Sequence, residues 1–175
     1  MEIDILPKMA RAQIHMVFIV VPRFNIATLI TMIETLRIAN YLAPTSTFSW
    51  EVASFDGSKI TASNGMTATI KTANDNLEPA EFAFILGSWG TEHYHNQRLT
   101  AWLRKRARAG ERICGVELGS YIVARAGLLD GKLATIHWSW LNGFKENFDR
   151  VEVEESLFTL DSKVMTCSGG LAGVD

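Results

Sequence analysis

The stretch Gly115-Val116-Glu117-Leu118-Gly119 decides the fold of this chain. It follows a short, mainly apolar run, Arg112 to Cys114, that predicts a buried strand, and it precedes Ser120 to Ala126, which predicts a helix. A strand, a Gly-x-X-x-Gly turn and a helix together form the geometry of a nucleophile elbow. The two glycines let the backbone turn sharply, so the side chain of Glu117 is expected to project at the carboxyl edge of a sheet.

Glu117 occupies the position that a serine or cysteine nucleophile holds in an enzyme with this turn. A carboxylate is a poor substitute for a thiolate in acyl transfer, so we expect the chain to keep the shape of the site without its chemistry. The sequence therefore predicts no catalytic residue and no enzymatic activity of this kind. The alternative is a plain strand-to-helix turn, with an exposed glutamate in the first helical turn, where the helix dipole favours an anion.

The composition is that of a globular protein with a sizeable core. The chain has 175 residues, of which 47% are hydrophobic and 21% charged. We expect one domain over residues 1–175, with residues 1–12 as an N-terminal extension. The net charge of −2 argues against direct binding of nucleic acid or an anionic membrane. The basic cluster Arg104 to Arg108 is interpreted as the solvated end of a helix, where cations are favoured.

The cysteines and histidines argue against a disulfide scaffold and a metal site. Cys114 and Cys167 each lie in an apolar, strand-like run, which predicts two buried free thiols in a reducing cytoplasm. No spacing typical of a zinc site occurs, and His93-Tyr94-His95 has no carboxylate or cysteine at the spacing of a convincing metal site. We therefore expect no metal and no cofactor. Residues 14–22 are apolar but too few to span a bilayer.

Strands and helices alternate along the chain. Strands are predicted at residues 14–21, 50–55, 82–86, 113–116, 133–136, 151–153, 156–160 and 163–167. Helices are predicted at residues 26–42, 97–109, 120–126 and 137–148, with Asn25 as the N-cap of the first. This alternation predicts an α/β fold with a mostly parallel sheet and helices on both faces.

Several motifs, in this order and spacing, resemble one family. They are Ile33 to Asn40, the elbow, Ala126 to Gly131 with Ala134 to Trp138, and Thr166 to Gly170. The family is the AraC-type transcriptional regulators whose N-terminal half is a class I glutamine-amidotransferase-like, PfpI-type domain, and the resemblance covers residues 14–175. It implies a flavodoxin-like three-layer sandwich, a homodimer, and a C-terminal helix-turn-helix domain that binds DNA and is absent from this chain.

The resemblance also implies the roles of residues at the elbow. In catalytic relatives the elbow residue is a cysteine, a histidine beside it comes from the segment matching Thr135-Ile136-His137, and a Gly-Gly pair supplies backbone amides. Here Glu117 replaces the cysteine, and Ser88 replaces the second glycine of the pair, after Gly87. Only His137 fits its role directly. These departures argue against hydrolase or amidotransferase activity.

Side chains at the carboxyl edge of the predicted sheet form the candidate ligand site, because open α/β folds bind ligands there. The predicted ligand-binding residues are Glu117, His137, Trp138, Ser88, Trp89, Leu118 and Gly87. Tryptophan faces next to a carboxylate favour a cationic guest, and amides at the start of the helix face the same crevice. The alternative is that the tryptophans are core or dimer residues and that Glu117 is hydrogen-bonded to its surroundings.

Two functions are compatible with these residues. The first is a cytoplasmic sensor domain that binds a small effector, a cationic or zwitterionic amine, and controls the DNA-binding domain without contacting a membrane. The second is an enzyme of the amidotransferase-like superfamily that uses Glu117 and His137 as an acid–base pair, as a hydratase, lyase or isomerase. In the expected homodimer, Glu34 and Arg37 pair with each other or with a dimer mate.

Overall fold

The computed structural model describes residues 13–74 and 76–170. The helices are α1 (Ile26–Leu42), α2 (Gln97–Arg108), α3 (Gly119–Arg125) and α4 (Leu141–Asn147), with 3-10 turns at Thr91–His93 and Trp138–Trp140. The strands are β1 (Ile14–Val20), β2 (Phe48–Ser54), β3 (Lys59–Thr61), β4 (Thr67–Thr69), β5 (Lys71–Thr72), β6 (Phe82–Gly87), β7 (Arg112–Glu117), β8 (Leu133–Ala134), β9 (Glu152–Val153), β10 (Phe158–Asp161) and β11 (Val164–Cys167). The predicted N-terminal extension, residues 1–12, lies outside the described residues.

Seven strands form one sheet in the order β10-β11-β7-β6-β1-β2-β5. All neighbouring pairs are parallel except the antiparallel hairpin β10–β11 at one edge. The central strands β1, β6 and β7 are mainly apolar because both of their faces are covered. The pairs β3–β4 and β8–β9 form two small separate sheets. The predicted α/β fold with a mostly parallel sheet is confirmed.

Helices cover both faces of the sheet. On one face, Phe18 and Val20 of β1 pack with Leu29 and Met32 of α1. On the opposite face, the alternate residues of the same strands pack with α2, α3 and α4, around buried side chains such as Tyr121. Because successive residues of a strand point to opposite faces, each central strand supplies both layers of the core. The result is the three-layer sandwich that the resemblance implied.

The observed bounds differ from the predicted ones by at most two residues at either end, except in the helix predicted at residues 137–148. The predicted strand at residues 156–160 is observed at Phe158–Asp161, and the predicted strand at residues 133–136 is limited to Leu133–Ala134. His137 does not begin an α-helix, as predicted. Its side chain instead accepts a hydrogen bond from the backbone N–H of Ser139 and caps the 3-10 turn that precedes α4. A side-chain acceptor at this position satisfies an N–H that the first turn leaves free.

Arg106 is buried, so the prediction that the whole basic cluster is solvated is wrong at this residue. Its Nη1 donates to Oε1 of Glu111 at 2.6 Å, and its Nη2 donates to the carbonyls of Leu77 and Glu78. The guanidinium also lies 4.7 Å from the centre of the Trp102 ring. Residues four apart share a helix face, and Trp102 faces the core, so Arg106 is directed inward with it.

The two cysteines differ in burial. Both thiols are free, and Cys114 is buried as predicted, but Cys167 is only half buried. Cys167 is the last residue of β11, near the edge of the sheet, which explains the difference. Burial raises the pKa of both thiols. Within residues 13–74 and 76–170, no helix has the length and apolar character that crossing a membrane requires.

Candidate functional site

The elbow is built as the sequence predicted. Strand β7 ends at Glu117 and α3 begins at Gly119. Glu117 has a φ of 55°, a left-handed conformation that costs a non-glycine residue roughly 1–2 kcal/mol. A Cβ atom at position 119 would lie 1.9 Å from the carbonyl oxygen of Ile85, so only glycine lets α3 start this close to β6. The close packing of strand and helix therefore holds Glu117 in its strained turn.

The carboxyl group of Glu117 is buried, with 4% of the residue exposed. Ser88, also buried, donates its hydroxyl to Oε1 of Glu117 at 2.6 Å. Oε2 is buried and accepts no hydrogen bond from the described residues. The alternative of an exposed glutamate is therefore wrong. Buried polar atoms are nearly always hydrogen-bonded, and an exception calls for an explanation, such as a binding role.

Two neighbours of Glu117 were not identified from the sequence as site residues. Asn25, at the start of α1, is near enough to lower the pKa of the carboxyl group, but it forms no hydrogen bond with Glu117, and its Oδ1 caps the helix. Gly169 follows β11 with a φ of 84°, and a Cβ there would lie 2.4 Å from the Cβ of Glu117. The next carbonyl, of Gly170, accepts a hydrogen bond from the hydroxyl of Thr28. The sequence identifies Asn25 only as the N-cap of the first helix.

Burial raises the pKa of the Glu117 carboxyl above its ordinary value. The hydrogen bond from Ser88, the amide of Asn25 and the nearby His137 ring act in the opposite direction. The net direction is upward because burial outweighs these three effects. No salt bridge among the described residues includes this carboxylate. The site therefore holds a desolvated carboxyl group that a positive charge would stabilise in its ionised form.

The predicted aromatic residues lie at the surface. The His137 ring is half buried, its Nδ1 lies 2.8 Å from the hydroxyl of Ser139, and its centroid lies 5.5 Å from that of Trp138. Trp138 is 69% exposed and Trp89 is 60% exposed, so neither is a core residue of this chain. The structure thus brings Ser88, Glu117 and His137 together. Trp89 and Trp138 directly follow Ser88 and His137 in the chain, and the side chains of both tryptophans are largely exposed.

Leu118 and Gly87 contribute backbone only. The side chain of Leu118 is fully buried in the core, so it cannot contact a ligand in the crevice. Gly87 is also buried, and a Cβ there would lie 2.6 Å from the hydroxyl of Thr91. The absence of a side chain at position 87 lets the end of β6 approach the following turn.

Arg125, which the sequence did not identify, holds the loop that contains Ser88. Its Nη1 donates to the carbonyls of Thr91 and Tyr94, at 3.1 and 2.9 Å, and its Nη2 donates to the carbonyl of Glu92. One guanidinium on α3 therefore holds three backbone carbonyls of the 3-10 turn that follows β6 and of the residue that ends it. The position of Ser88 relative to Glu117 depends on this contact as well as on the sheet.

A mainly apolar cavity of about 230 Å³ lies on the other side of β7, between α1 and the sheet. Phe84, Met32, Met165 and Cys167 are among the residues that line it. None of the seven predicted ligand-binding residues lines this cavity. The part of the chain that the structure describes also contains no cluster of three acidic, histidine or cysteine side chains suited to a metal ion.

The raised pKa of Glu117 predicts a pH-dependent stability. The folded state binds the proton of this carboxyl group more tightly than the unfolded chain does, whose value is near 4.5. The contribution of Glu117 to the free energy of unfolding is therefore greatest at low pH and falls as pH rises from 4.5 through the raised value. Because Glu117→Gln cannot titrate, its stability relative to the wild type should increase between about pH 5 and pH 8. Urea unfolding at both pH values tests this, and a constant difference would contradict it.

A sequence profile of the DJ-1/PfpI family matches residues 17–173. Among curated proteins, the chain is 34% identical over 158 residues to the HTH-type transcriptional regulator CdhR of Pseudomonas aeruginosa. It is 30% identical over 159 residues to the HTH-type transcriptional regulator GlxA of Rhizobium meliloti. Each alignment covers 90% of this chain but only 47% and 49% of the relatives, so the chain spans about half of their length.

Solved structures share the fold. A crystal structure of an AraC family transcriptional regulator from Pseudomonas putida matches with a TM-score of 0.84 at 21% identity, over 92% of this chain and 86% of that one. Drosophila melanogaster DJ-1beta matches with a TM-score of 0.76 at 16% identity, over 93% and 85%. These identities are low, so the likeness concerns the fold alone. Together with the family match, they confirm the resemblance inferred from the elbow and residues 126–138: this chain belongs to the DJ-1/PfpI family.

Proposed function

We propose that this chain is the ligand-sensing, non-catalytic domain of a cytoplasmic transcriptional regulator. The curated relatives whose alignments cover 90% of this chain are named as transcriptional regulators. The elbow holds Glu117 at the position where acyl transfer would need a nucleophile. In the longer protein, a C-terminal helix-turn-helix domain binds DNA. The effector is a small cationic or zwitterionic amine that binds at Glu117.

The unpartnered Oε2 of Glu117 is the observation that carries this proposal. It is buried, and it accepts no hydrogen bond from the described residues. An unsatisfied buried acceptor costs about 1–3 kcal/mol, and a carboxylate without a cation costs more. A protonated amine that enters the crevice supplies both an N–H donor and the missing positive charge. An anionic effector would instead meet like charge in a desolvated site.

The tryptophans support a cation rather than a neutral donor. Trp138 and Trp89 each present an exposed indole next to a residue of the site, His137 and Ser88 respectively. An indole face attracts an ammonium or quaternary ammonium group by ~0.5–2 kcal/mol.

Trp138→Ala is expected to weaken effector binding moderately. The loss of one cation–π contact corresponds to ~1–2 kcal/mol, a decrease in affinity of roughly 5- to 30-fold. Isothermal titration calorimetry measures it. Leu160→Ala is the matched control, since Leu160 is similarly exposed but lies on β10. Equal affinities for the wild type and Trp138→Ala would remove the tryptophan from the site.

Control of DNA binding requires that the effector favours one arrangement of the protein. We propose a homodimer whose two DNA-binding domains meet paired half-sites, as two-fold operators require. An effector shifts such an equilibrium only by as much as its affinity differs between the two arrangements. Asn25, the N-cap of α1, and Gly169, which follows β11, both lie beside Glu117. A bound effector can therefore shift the start of α1 and the segment after β11 together.

A thermal-shift screen tests the proposed effector class. The compounds are betaines, carnitine, choline, polyamines and basic amino acids, each compared with a neutral or anionic analogue of similar size. We expect cationic or zwitterionic amines to raise the melting temperature, and calorimetry then gives the affinity of each hit. If only anionic or neutral compounds bind, the cation proposal is wrong and Glu117 has a structural role.

A further inference from the structure

The apolar cavity between α1 and the sheet is too large to be an ordinary packing defect. Its volume is about 230 Å³, whereas protein interiors contain few voids larger than a water molecule. A cavity of about 150 Å³ with apolar walls stays dry and binds benzene. The cavity in this chain therefore has room for a molecule of one or two rings.

The walls of the cavity favour a neutral guest. None of the described residues that line it has a charged side chain, and burial raises the pKa of both lining thiols, so they stay protonated at neutral pH. The hydroxyl of Thr35 donates to the carbonyl of Thr31 at 2.9 Å. The hydroxyl of Thr166 accepts from the backbone N–H of Thr135 at 2.7 Å. An ion would lose its hydration here without gaining a partner, which excludes the cationic effector proposed above.

Sulfur and aromatic side chains make up most of the walls. The rings of Phe18 and Phe84 stack with their centroids 5.0 Å apart. Methionine side chains adapt to the shape of a guest, and their sulfur atoms make favourable contacts with aromatic rings. An aromatic guest therefore gains contacts here that an aliphatic guest of the same size does not. The sulfur-containing and aromatic lining residues are Met16, Met32, Met165, Cys114, Cys167, Phe18, Phe84 and Phe158.

The cavity opens to solvent between α1 and the β10–β11 hairpin. Thr35 of α1 and Phe158 of β10 both line it, and both are exposed, Phe158 by 51%. A small guest can enter there without separating the layers of the sandwich. A protein partner does not suit this opening, because a specific interface buries about 800 Å² on each partner, far more than a cavity of this volume offers.

We propose that this cavity is a binding site for a neutral aromatic molecule of one or two rings. The site is separate from the crevice at Glu117, since none of the seven predicted ligand-binding residues lines it. The two sites lie on opposite sides of the same strand. Val116 lines the cavity and directly precedes Glu117 on β7, so a guest in the cavity contacts the strand that ends in the elbow.

NMR of methionine methyl groups locates the guest, with indole as the probe. Met16, Met32 and Met165 line the cavity, whereas Met66 is 59% exposed between β3 and β4 and is an internal control. Indole should shift the first three signals, each identified by a Met→Leu variant, with a dissociation constant below about 1 mM, and leave the signal of Met66 in place. Indole-3-carboxylate, a charged analogue, should shift none of them. The proposal is overturned if indole leaves the three signals unchanged or if the carboxylate binds as tightly.

A variant at the opening tests the same site independently. Thr35→Phe places a ring in the mouth of the cavity and should weaken indole binding at least about tenfold, the effect of withholding about two methylene-sized contacts. Thr31→Phe is the matched control, since Thr31 lies one turn earlier on α1 and does not line the cavity. Circular dichroism verifies that both variants are folded. Equal affinities for Thr35→Phe and the wild type contradict the proposal. Binding that weakens as the protein concentration rises also contradicts it, because a second copy of the chain would then occupy the cavity.

Discussion

Replacing Glu117 with alanine is expected to abolish effector binding. Among the described residues, Glu117 is the only one at the crevice whose carboxylate has a buried oxygen without a hydrogen-bond partner. Without it, a cationic effector would enter a desolvated site that lacks a counter-charge. Leaving one member of a buried ion pair unpaired costs ~3–5 kcal/mol, which exceeds a hundredfold in affinity. Calorimetry with the strongest hit of the thermal-shift screen measures the loss.

Two further variants show whether the charge or the shape matters. Glu117→Gln keeps the length of the side chain and an acceptor for Ser88, so it should weaken binding less than alanine does. Glu78→Ala removes one carboxylate from the exposed turn before β6, at the opposite edge of the sheet, and should bind normally. If Glu117→Ala binds the effector as tightly as the wild type, Glu117 is not a ligand-binding residue.

Gly119→Ala is expected to destabilise the fold strongly. The added Cβ would lie 1.9 Å from the carbonyl oxygen of Ile85 and 2.8 Å from its carbonyl carbon. Both groups belong to the backbone, so neither can move aside as a flexible side chain would. Overpacking usually costs about 1–3 kcal/mol, and a backbone contact this short places the expected loss of unfolding free energy at the upper end or beyond. Chemical denaturation measures it.

Gly143→Ala is the matched control for this prediction. Gly143 lies within α4, and the nearest atom to an added Cβ is the hydroxyl of Tyr121 at 3.6 Å, an ordinary contact. Alanine is favoured over glycine in a helix by about 0.5–1 kcal/mol, so this variant should be equal or more stable. If both variants unfold at the same denaturant concentration as the wild type, the elbow does not depend on the missing side chain at position 119.

The elbow could be predicted from the sequence because its determinants are local. Two glycines, a preceding apolar run and a following helix lie within about one strand and one helix turn, and together they fix where residue 117 sits. The sequence predicts a mostly parallel sheet but not the order of its strands, because pairings such as β11 with β7 join segments about 50 residues apart. The bounds near His137 were less accurate, because its side chain competes for backbone N–H groups that would otherwise begin an α-helix.

The surroundings of Glu117 could not be predicted, because they come from distant parts of the chain. Asn25 satisfies a local requirement as a helix cap, and nothing in its neighbourhood indicates a second contact 92 positions away. Gly169 acts through the lack of a side chain, which a sequence pattern does not reveal. Leu118 was assigned to the ligand site from its position in the motif, but it points into the core. Arg106 was assigned to the surface from the charges around it, but its helix face turns inward.

The strained backbone at Glu117 has a consequence for how such sites diversify. The turn is fixed by Gly119 and Gly169, whose missing side chains leave room for the neighbouring strands, and not by the carboxyl group itself. The side chain at this apex can therefore be exchanged without rebuilding the scaffold around it. A glutamate codon becomes a lysine, glutamine, glycine or alanine codon by one nucleotide change. A single mutational step can thus invert or remove the charge that the crevice presents. The ligand preference of this site can therefore change while the fold stays the same.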